Sequence, residues 1–221
     1  MANNRITEIY ELLAERFGPQ HWWPGESEFE IAVGAILTQN TSWANVEKAI
    51  GNLKEAKCLT AQKLYEIKDE NLAQLIRPAG YYNIKTKRLK NFIGWLFNKY
   101  DGDFENLDDI GTDSLREQLL SIKGVGQETA DSILFYALNR NVFVVDAYTA
   151  RIAARHHLIE PGAIYEEIQY LFESKLDNDV KLFNEYHALL VKLGKDFCKP
   201  KAKCASCPLE ELPHTLEFED F

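Results

Sequence analysis

Residues 119–151, with the sequence LLSIKGVGQETADSILFYALNRNVFVVDAYTAR, decide the fold of this chain. The stretch closes one predicted helix and then turns sharply at Lys123-Gly124-Val125-Gly126, because glycine adopts the positive φ angles that other residues resist. Apolar residues at helical spacing predict a second helix over 127–138. An apolar run over 142–145 then leads to a single carboxylate, Asp146.

The glycine turn is suited to hold an anion. The first amides of a helix have no partner within the helix and carry the positive end of its dipole, so a turn that lets a phosphate approach them forms a phosphate site. Such contacts position DNA without reading its sequence. A plain corner between two helices uses glycine in the same way, and the turn alone predicts either structure.

The whole stretch is more specific than its turn. The sequence I-K-G-V-G-Q-E-T-A-D, followed twenty residues after Gly126 by V-V-D-A-Y-T-A-R, resembles the helix-hairpin-helix and catalytic-aspartate region of the endonuclease III-like DNA glycosylases. The resemblance implies that Lys123, Gly124, Val125 and Gly126 grip the DNA backbone and that Asp146 assists removal of a base. The chain departs from the family in the loop before Asp146, which lacks the glycine and proline often found there.

The rest of the chain is predicted to be helical. Period-2 alternation is rare, and neither Asn-Gly nor Asp-Gly marks a hairpin of strands. Further helices are predicted over 5–16, 60–67, 70–77, 85–99 and 113–122. The fold class is therefore all-α. The resemblance implies the two-lobed glycosylase fold, in which a six-helix barrel over 22–133 joins a second lobe made from 1–21 and 134–221. The hairpin and the aspartate are then expected where the cleft between the lobes opens.

Composition and charge limit the function classes. A length of 221 residues, 46% of them hydrophobic, allows one large or two modest domains. No apolar run reaches membrane-spanning length and no signal peptide begins the chain, so a cytoplasmic protein without a membrane partner is expected. The net charge of −9 argues against a nucleic-acid partner. It is a sum over the whole chain, however, and DNA responds to the charge of the local surface that it meets. Basic residues cluster over 85–90 and 195–203, and the stretch 210–220 is acidic.

Asp146 fits the chemistry of base release. Cleaving an N-glycosidic bond builds positive charge on the deoxyribose, and a carboxylate can stabilise that charge and orient a water molecule. A base inside a duplex must first be flipped into a pocket. We therefore predict that Asp146 is catalytic, although an aspartate before Ala-Tyr-Thr-Ala is also a good helix N-cap.

Glu128 bears on whether the protein also has lyase activity, which would cut the DNA strand. The resemblance implies that bifunctional relatives form a Schiff base through a lysine two residues after the second glycine, and Glu128 stands at that position. A carboxylate cannot act as an amine nucleophile. The prediction is a monofunctional glycosylase without lyase activity.

Aromatic residues point to the base. Trp22-Trp23-Pro24, L-T-Q-N-T with Trp43 close behind, and Glu128 resemble the 3-methyladenine glycosylase branch. An alkylated, cationic purine stacks favourably on indole. The resemblance implies that these residues line or border the pocket and that Gln39 enters the gap left by the flipped base. Ordinary core packing of the tryptophans is the alternative.

Three cysteines form a separate motif near the C-terminus. Cys198, Cys204 and Cys207 have the spacing C-x5-C-x2-C, and such close spacing in a cytosolic chain favours a metal over a disulfide. The segment resembles the iron-sulfur loop of endonuclease III relatives, but His214 stands near the place of a fourth cysteine. Three thiolates and His214 could hold a [4Fe-4S] cluster or zinc, and a metal-free loop is the third possibility. The lone Cys58 is expected to be a small buried side chain, and His156, His157 and His187 to serve capping or core roles.

Three functions follow from these patterns. The first is a monomeric glycosylase that removes alkylated purines such as 3-methyladenine from double-stranded DNA. The second is an endonuclease III-type enzyme for oxidised pyrimidines, which Glu128 disfavours. The third is a non-catalytic helix-hairpin-helix DNA-binding protein, which Asp146 and the aromatic cluster disfavour.

Overall fold

The computed structural model describes residues 2–160 and 162–216, and the regular elements of this part of the chain are helices without strands. Eleven are α-helices: α1 (Ala2–Phe17), α2 (Glu28–Thr38), α3 (Trp43–Glu55), α4 (Ala61–Glu66), α5 (Asp69–Leu75), α6 (Tyr82–Tyr100), α7 (Thr112–Leu120), α8 (Gln127–Ser132), α9 (Ala147–Arg155), α10 (Tyr165–Glu173) and α11 (Val180–Asp196). Single 3-10 turns lie at Arg77–Ala79 and Glu105–Leu107. The all-α prediction is confirmed.

The helix predicted over 127–138 differs from the observed one. α8 ends at Ser132, and the chain continues through Ile133–Ala137 as a wider π-helical segment. π-helical segments are rare in proteins, and those that occur are often found at functional sites. In the described part of the chain, no helix has both the length and the apolar character needed to cross a bilayer.

The chain divides into two compact units. The terminal unit joins Met1–Trp22 to Asn141–Phe221, and the central unit is Trp23–Arg140. The division predicted from the sequence, 22–133 against 1–21 and 134–221, stays a prediction. The central unit extends to Arg140 because Ile133–Ala137 packs on α2 and Arg140 donates a hydrogen bond to the Asp108 carbonyl. The end of the predicted second lobe and of the acidic stretch, 217–221, lies outside the described residues, as do Met1 and Pro161.

Apolar packing between the two ends of the chain holds the terminal unit together. α1 buries Ile6, Ile9 and Leu13, which recur every three or four residues and so share one helical face. The hydroxyl of fully buried Tyr186 on α11 donates to the carbonyl of Ile6 at 2.8 Å. At Gly194, α11 passes so close to α9 that an added Cβ would lie 2.2 Å from the ring of Tyr148.

α2 is the central helix of the central unit. It is buried on all sides, as expected of a helix that is apolar around its whole circumference. Its C-terminus is closed by Lys85, whose Nζ donates to the Leu37 carbonyl at 2.9 Å and to the Ala79 carbonyl at 2.7 Å. Burial, together with nearby Arg88, lowers the pKa of Lys85 to about 8. One member of the basic cluster at 85–90 is thus a buried structural residue.

Cys58 is less buried than expected. Its side chain is half-exposed, and its thiol donates to the Ala56 carbonyl at 3.3 Å just after α3. Cysteine packs as a small apolar residue in most proteins, but Cys58 stands in the loop that follows the end of α3 at Glu55.

Candidate functional site

The glycine turn joins α7 to α8 as predicted. Gly124 has a φ of +100°, and an added Cβ would lie 2.4 Å from Cγ of Arg88, so conformation and packing both require glycine there. Gly126 has an extended backbone and open space around it. Lys123 and Gly126 are exposed, whereas Val125 is buried and anchors the turn. The hairpin therefore presents exposed backbone at the start of α8.

A buried ion pair fixes the two helices of the hairpin. Arg116 on α7 donates through Nε to Oδ1 of Asp131 at 2.7 Å and through Nη2 to Oδ2 at 2.9 Å. The Asp131 side chain is fully buried. Bidentate pairing gives geometric specificity as well as attraction, so α7 and α8 are held in one register. Sequence periodicity gave no signal for this pair.

Gln39 lies against the hairpin. Its Nε2 donates to the carbonyl of Gly124 at 3.0 Å and to Oγ1 of Thr129 at 2.8 Å. Its Oε1 accepts a hydrogen bond from Nη1 of Arg88. Entry of Gln39 into a gap in DNA would require these bonds to break. That role stays a prediction, and the structure adds a second one, which is to brace the turn.

Two of the predicted pocket tryptophans meet in the central unit. The ring centroid of Trp23 lies 5.0 Å from that of Trp43, with an interplanar angle of 80°. It also lies 4.9 Å from the ring of Tyr136. At Gly34 an added Cβ would lie 3.7 Å from both indoles, so α2 passes directly beneath them. We name Trp23, Trp43 and Tyr136 the aromatic cluster. The sequence did not single out Tyr136, which the π-helical segment carries.

Trp22 belongs to the terminal unit. The ammonium of Lys195 on α11 lies 5.4 Å from the centroid of its indole, which is the geometry of a cation–π contact. Pro24, the third residue of the predicted motif, is exposed. The Trp22-Trp23-Pro24 motif is therefore divided between the two units, because Trp22 belongs to the terminal unit and Trp23 to the central unit.

Asp146 is the N-cap of α9. Its Oδ1 accepts a hydrogen bond from the Thr149 amide at 2.7 Å. Its Oδ2 lies 3.8 Å from Nε2 of His187 on α11. The Asp146 side chain is 14% exposed and that of His187 5%. Burial lowers the pKa of His187, against the opposing effect of Asp146. The N-cap interpretation and the catalytic one are compatible, because capping uses a single oxygen.

His187 was expected to have a capping or core role. It is buried as expected, but it also adjoins the predicted catalytic carboxylate. Its sequence neighbours gave no signal, since the contact joins α11 to the start of α9.

Glu128 lies in the first turn of α8 and is exposed. A carboxylate there interacts favourably with the helix dipole. The Glu128 side chain is therefore accessible to solvent.

The cysteine loop surrounds a cavity in the terminal unit. This small cavity is lined by Cys198, Cys204, Cys207 and His214 together with apolar neighbours such as Leu193 and Phe197 and the charged side chain of Arg155. Among the described residues, no three His, Cys, Asp or Glu side chains converge as a single metal ion requires. Three thiols and one imidazole around this cavity are a donor set that suits either a cluster or zinc, and both stay predictions.

Arg155 binds the same loop. Its Nη1 donates to Sγ of Cys198 at 3.2 Å and to the Lys199 carbonyl at 2.6 Å, and its Nη2 donates to the Pro200 carbonyl at 2.8 Å. Nδ1 of His214 donates to the Leu212 carbonyl at 2.8 Å, and in this neutral tautomer Nε2 carries the lone pair. Both interactions are of the kind that orients ligands around a metal centre.

Comparisons with known proteins agree with this geometry. The model of the HhH-GPD superfamily of base excision DNA repair proteins matches residues 33–178, which include the hairpin and Asp146. A candidate DNA repair glycosylase of Methanocaldococcus jannaschii is 50% identical over 208 residues, which are 93% of this chain and 94% of that protein. Endonuclease III of Thermotoga maritima is 30% identical over 206 residues, covering 93% and 90%.

Solved structures give the same fold. The H. pylori 3-methyladenine DNA glycosylase bound to 1,N6-ethenoadenine is 31% identical with a TM-score of 0.74, covering 88% of this chain and 97% of that one. An endonuclease III–DNA complex has a TM-score of 0.82 at 23% identity, covering 96% and 94%. The second likeness bears on the fold alone. The predicted helix-hairpin-helix glycosylase fold class is thus confirmed.

Proposed function

The chain belongs to the HhH-GPD superfamily of base excision DNA repair proteins, as a DNA glycosylase, and from that membership we propose that it removes alkylated purines such as 3-methyladenine without cutting the strand. The observation that carries this proposal is the aromatic cluster above α2. An electron-poor, cationic base stacks on indole more favourably than a neutral one does. The likeness to a 3-methyladenine glycosylase at 31% identity supports the same substrate class.

Asp146 is the proposed catalytic residue. As the base leaves, positive charge develops on the sugar, and a fixed carboxylate nearby lowers the energy of that state. The capping bond from Thr149 holds Oδ1 in place, which leaves Oδ2 to stabilise charge and to orient the attacking water. An alkylated purine is already a good leaving group, so one carboxylate provides sufficient help.

Glu128 supports release of the base alone. A lyase reaction needs an amine that forms a Schiff base with the opened sugar. The carboxylate of Glu128 has no such chemistry, and Lys123 lies within the turn rather than on α8. We propose that the reaction ends at an abasic site, with Glu128 bordering the pocket.

The hairpin is proposed to hold the DNA backbone. Exposed amides around Gly126 and the Lys123 side chain suit a phosphate, which they would bind without regard to sequence. The proposed partner is double-stranded DNA with a damaged base, and the protein acts as a monomer.

The cysteine loop is proposed to hold a structural [4Fe-4S] cluster through Cys198, Cys204, Cys207 and His214. Such a cluster would stabilise the fold of this loop and take no part in base release. Protein purified without air should show the visible absorbance of a cluster, with matching iron and sulfide on analysis. A metal-free, fully folded protein would contradict this assignment and leave Arg155 as the clamp of the loop.

The test of function is base release from three duplexes, which carry 3-methyladenine, an oxidised pyrimidine or no lesion. We expect release of 3-methyladenine alone, and no borohydride-trapped adduct on an abasic duplex. Release of only the oxidised base would favour the endonuclease III-type alternative. Binding without any release would favour a non-catalytic DNA-binding protein.

The role of Asp146 is tested by Asp146→Asn. Asparagine caps a helix as well as aspartate does, so α9 should remain folded while the charge is lost. We expect release to slow by on the order of a hundredfold or more, with DNA binding retained. Asp179→Asn is the matched control, since Asp179 caps α11 by accepting the Lys181 amide at 2.8 Å. Equal rates for wild type and Asp146→Asn would remove Asp146 from catalysis.

A further inference from the structure

An open groove runs along α6 beside the hairpin turn. Its polar and basic lining residues are Lys90, Asn91, Asn98, Lys99, Ser121 and Lys123, and Trp95 and Ile122 form the apolar part of the lining. The described residues that line it include three lysines and no carboxylate. The whole chain has 34 acidic residues against 25 basic ones. We name this feature the lysine groove, because its charge is opposite to that of the protein as a whole.

The groove has the length of a segment of DNA backbone. Lys90 and Lys99 are nine residues apart on α6 and lie at the two opposite edges of the face that lines the groove, about 13.5 Å apart along the helix axis. A DNA strand carries one negative charge per roughly 3.4 Å of helix axis. A groove of this length therefore spans several phosphates rather than one small anion.

The lysine groove is continuous with the hairpin turn. Nδ2 of Asn91 on α6 donates to the carbonyl of Lys123 at 2.8 Å. One turn earlier on α6, the side chain of Arg88 packs against Gly124. α6 and the turn thus form one surface within the central unit, and a strand held at the turn has an adjoining basic path.

The lysines of the groove differ in how many hydrogen bonds their ammonium groups already make within the protein. Lys90 donates to the carbonyls of Tyr65 at 3.0 Å and Ile67 at 2.5 Å, so it also supports the end of α4. Lys99 is exposed and donates to Oε1 of Gln118 at 3.1 Å. An ammonium has three donors, so one such bond leaves Lys99 able to contact a phosphate. Lys99 is therefore the most informative position to change.

We propose that the lysine groove binds the phosphate backbone of DNA beyond the nucleotides held by the hairpin. The proposal rests on the proposed function for the identity of its partner. The groove supplies affinity rather than base recognition, because ammonium groups on phosphates carry no sequence information. It would also give a protein of net charge −9 a local basic surface for a polyanion, because the described residues that line the groove include three lysines and no carboxylate.

The test measures the salt dependence of duplex binding. Each phosphate contact contributes about 0.9 to the slope of log K against log salt. Lys99→Gln should make this slope shallower by about 0.9 on an undamaged duplex, and glutamine can keep the bond to Gln118. Asn98→Lys, which adds a charge to the groove, should make it steeper by a similar amount. Lys48→Gln is the matched control, because Lys48 is exposed on α3 and does not line the groove.

Duplex length provides a second arm. On duplexes shortened until they reach only the hairpin, Lys99→Gln and wild type should bind with the same slope. Equal slopes for wild type, Lys99→Gln and Asn98→Lys on a long duplex would overturn the lysine groove, whatever base is released. Salt-dependent binding with the expected shifts but without base release would refute the proposed function and leave the groove standing. A wild-type protein that binds no duplex would overturn both.

Discussion

Asp146 uses its two carboxylate oxygens for different purposes. Oδ1 caps α9 through the Thr149 amide, and Oδ2 lies 3.8 Å from Nε2 of His187. Because burial lowers the pKa of His187, the imidazole is neutral at neutral pH and leaves the negative charge of the carboxylate uncancelled. Asp146 can therefore be fixed by the protein and still supply the negative charge that the proposed reaction needs.

This arrangement gives His187 a positioning role that can be tested. His187→Leu removes the polar group beside Oδ2, and we expect single-turnover base release to slow by on the order of tenfold to a hundredfold, since small displacements of a catalytic group cost that much. His187→Gln restores a donor and should recover most of the rate. If both variants lost only stability and released base at the wild-type rate, His187 would be a core residue alone.

At the scale of elements, the hairpin combines local and long-range constraints. The turn itself follows from its two glycines, and the local sequence is sufficient to predict it. Its bracing by Gln39, Arg88 and the Arg116–Asp131 pair depends on side chains from α2, α6, α7 and α8. No short-range pattern encodes such contacts, because the partners are brought together only by the fold.

Substitution of the two glycines of the turn should affect different properties, stability at Gly124 and DNA binding at Gly126. Gly124→Ala forces a side chain into positive φ and against Arg88, so we expect a loss of about 1–3 kcal/mol in the free energy of unfolding. Gly126→Ala has room and an extended backbone, and should change stability by less than about 1 kcal/mol. It should instead weaken duplex binding, because the added methyl group would stand beside the backbone amides that are proposed to bind a phosphate. Urea unfolding and binding isotherms separate the two effects, and a stable Gly124→Ala would contradict this division.

The candidate site was predicted unevenly for the same reason. The position of Asp146 at the start of α9 follows from the apolar run before it, and the meeting of Trp23 with Trp43 follows from the resemblance. Tyr136 and His187 were missed, because one depends on a π-helical widening and the other on the packing of α11 against α9. Local periodicity detects neither.

At the scale of the whole molecule, the buried charge of Lys85 affects stability across a defined pH range. Its pKa is lowered from 10.5 to about 8 by burial and by Arg88. Between about pH 8 and pH 10.5 the unfolded chain therefore binds more protons at this position than the folded one. Folding stability consequently gains from Lys85 as the pH rises through this window.

Comparison with Lys85→Met isolates that contribution, since all other groups are shared. The free energy of unfolding of the wild type, relative to the variant, should increase when urea unfolding is measured at pH 10 instead of pH 8, values that lie within this window. A difference between the two proteins that stayed constant, or fell, would show that Lys85 titrates normally in the folded state.

The pairing of α1 with α11 also sets the order in which the protein can fold during synthesis. Ile6 leaves the ribosome early, whereas its partner Tyr186 follows 180 residues later. At common rates of translation this delay is on the order of ten to thirty seconds. Throughout that time the apolar face of α1 has no native partner, whereas the central unit, which is contiguous in sequence, is complete before α11 is made. The nascent chain therefore carries α1 with an exposed apolar face, and the burial of that face waits for α11.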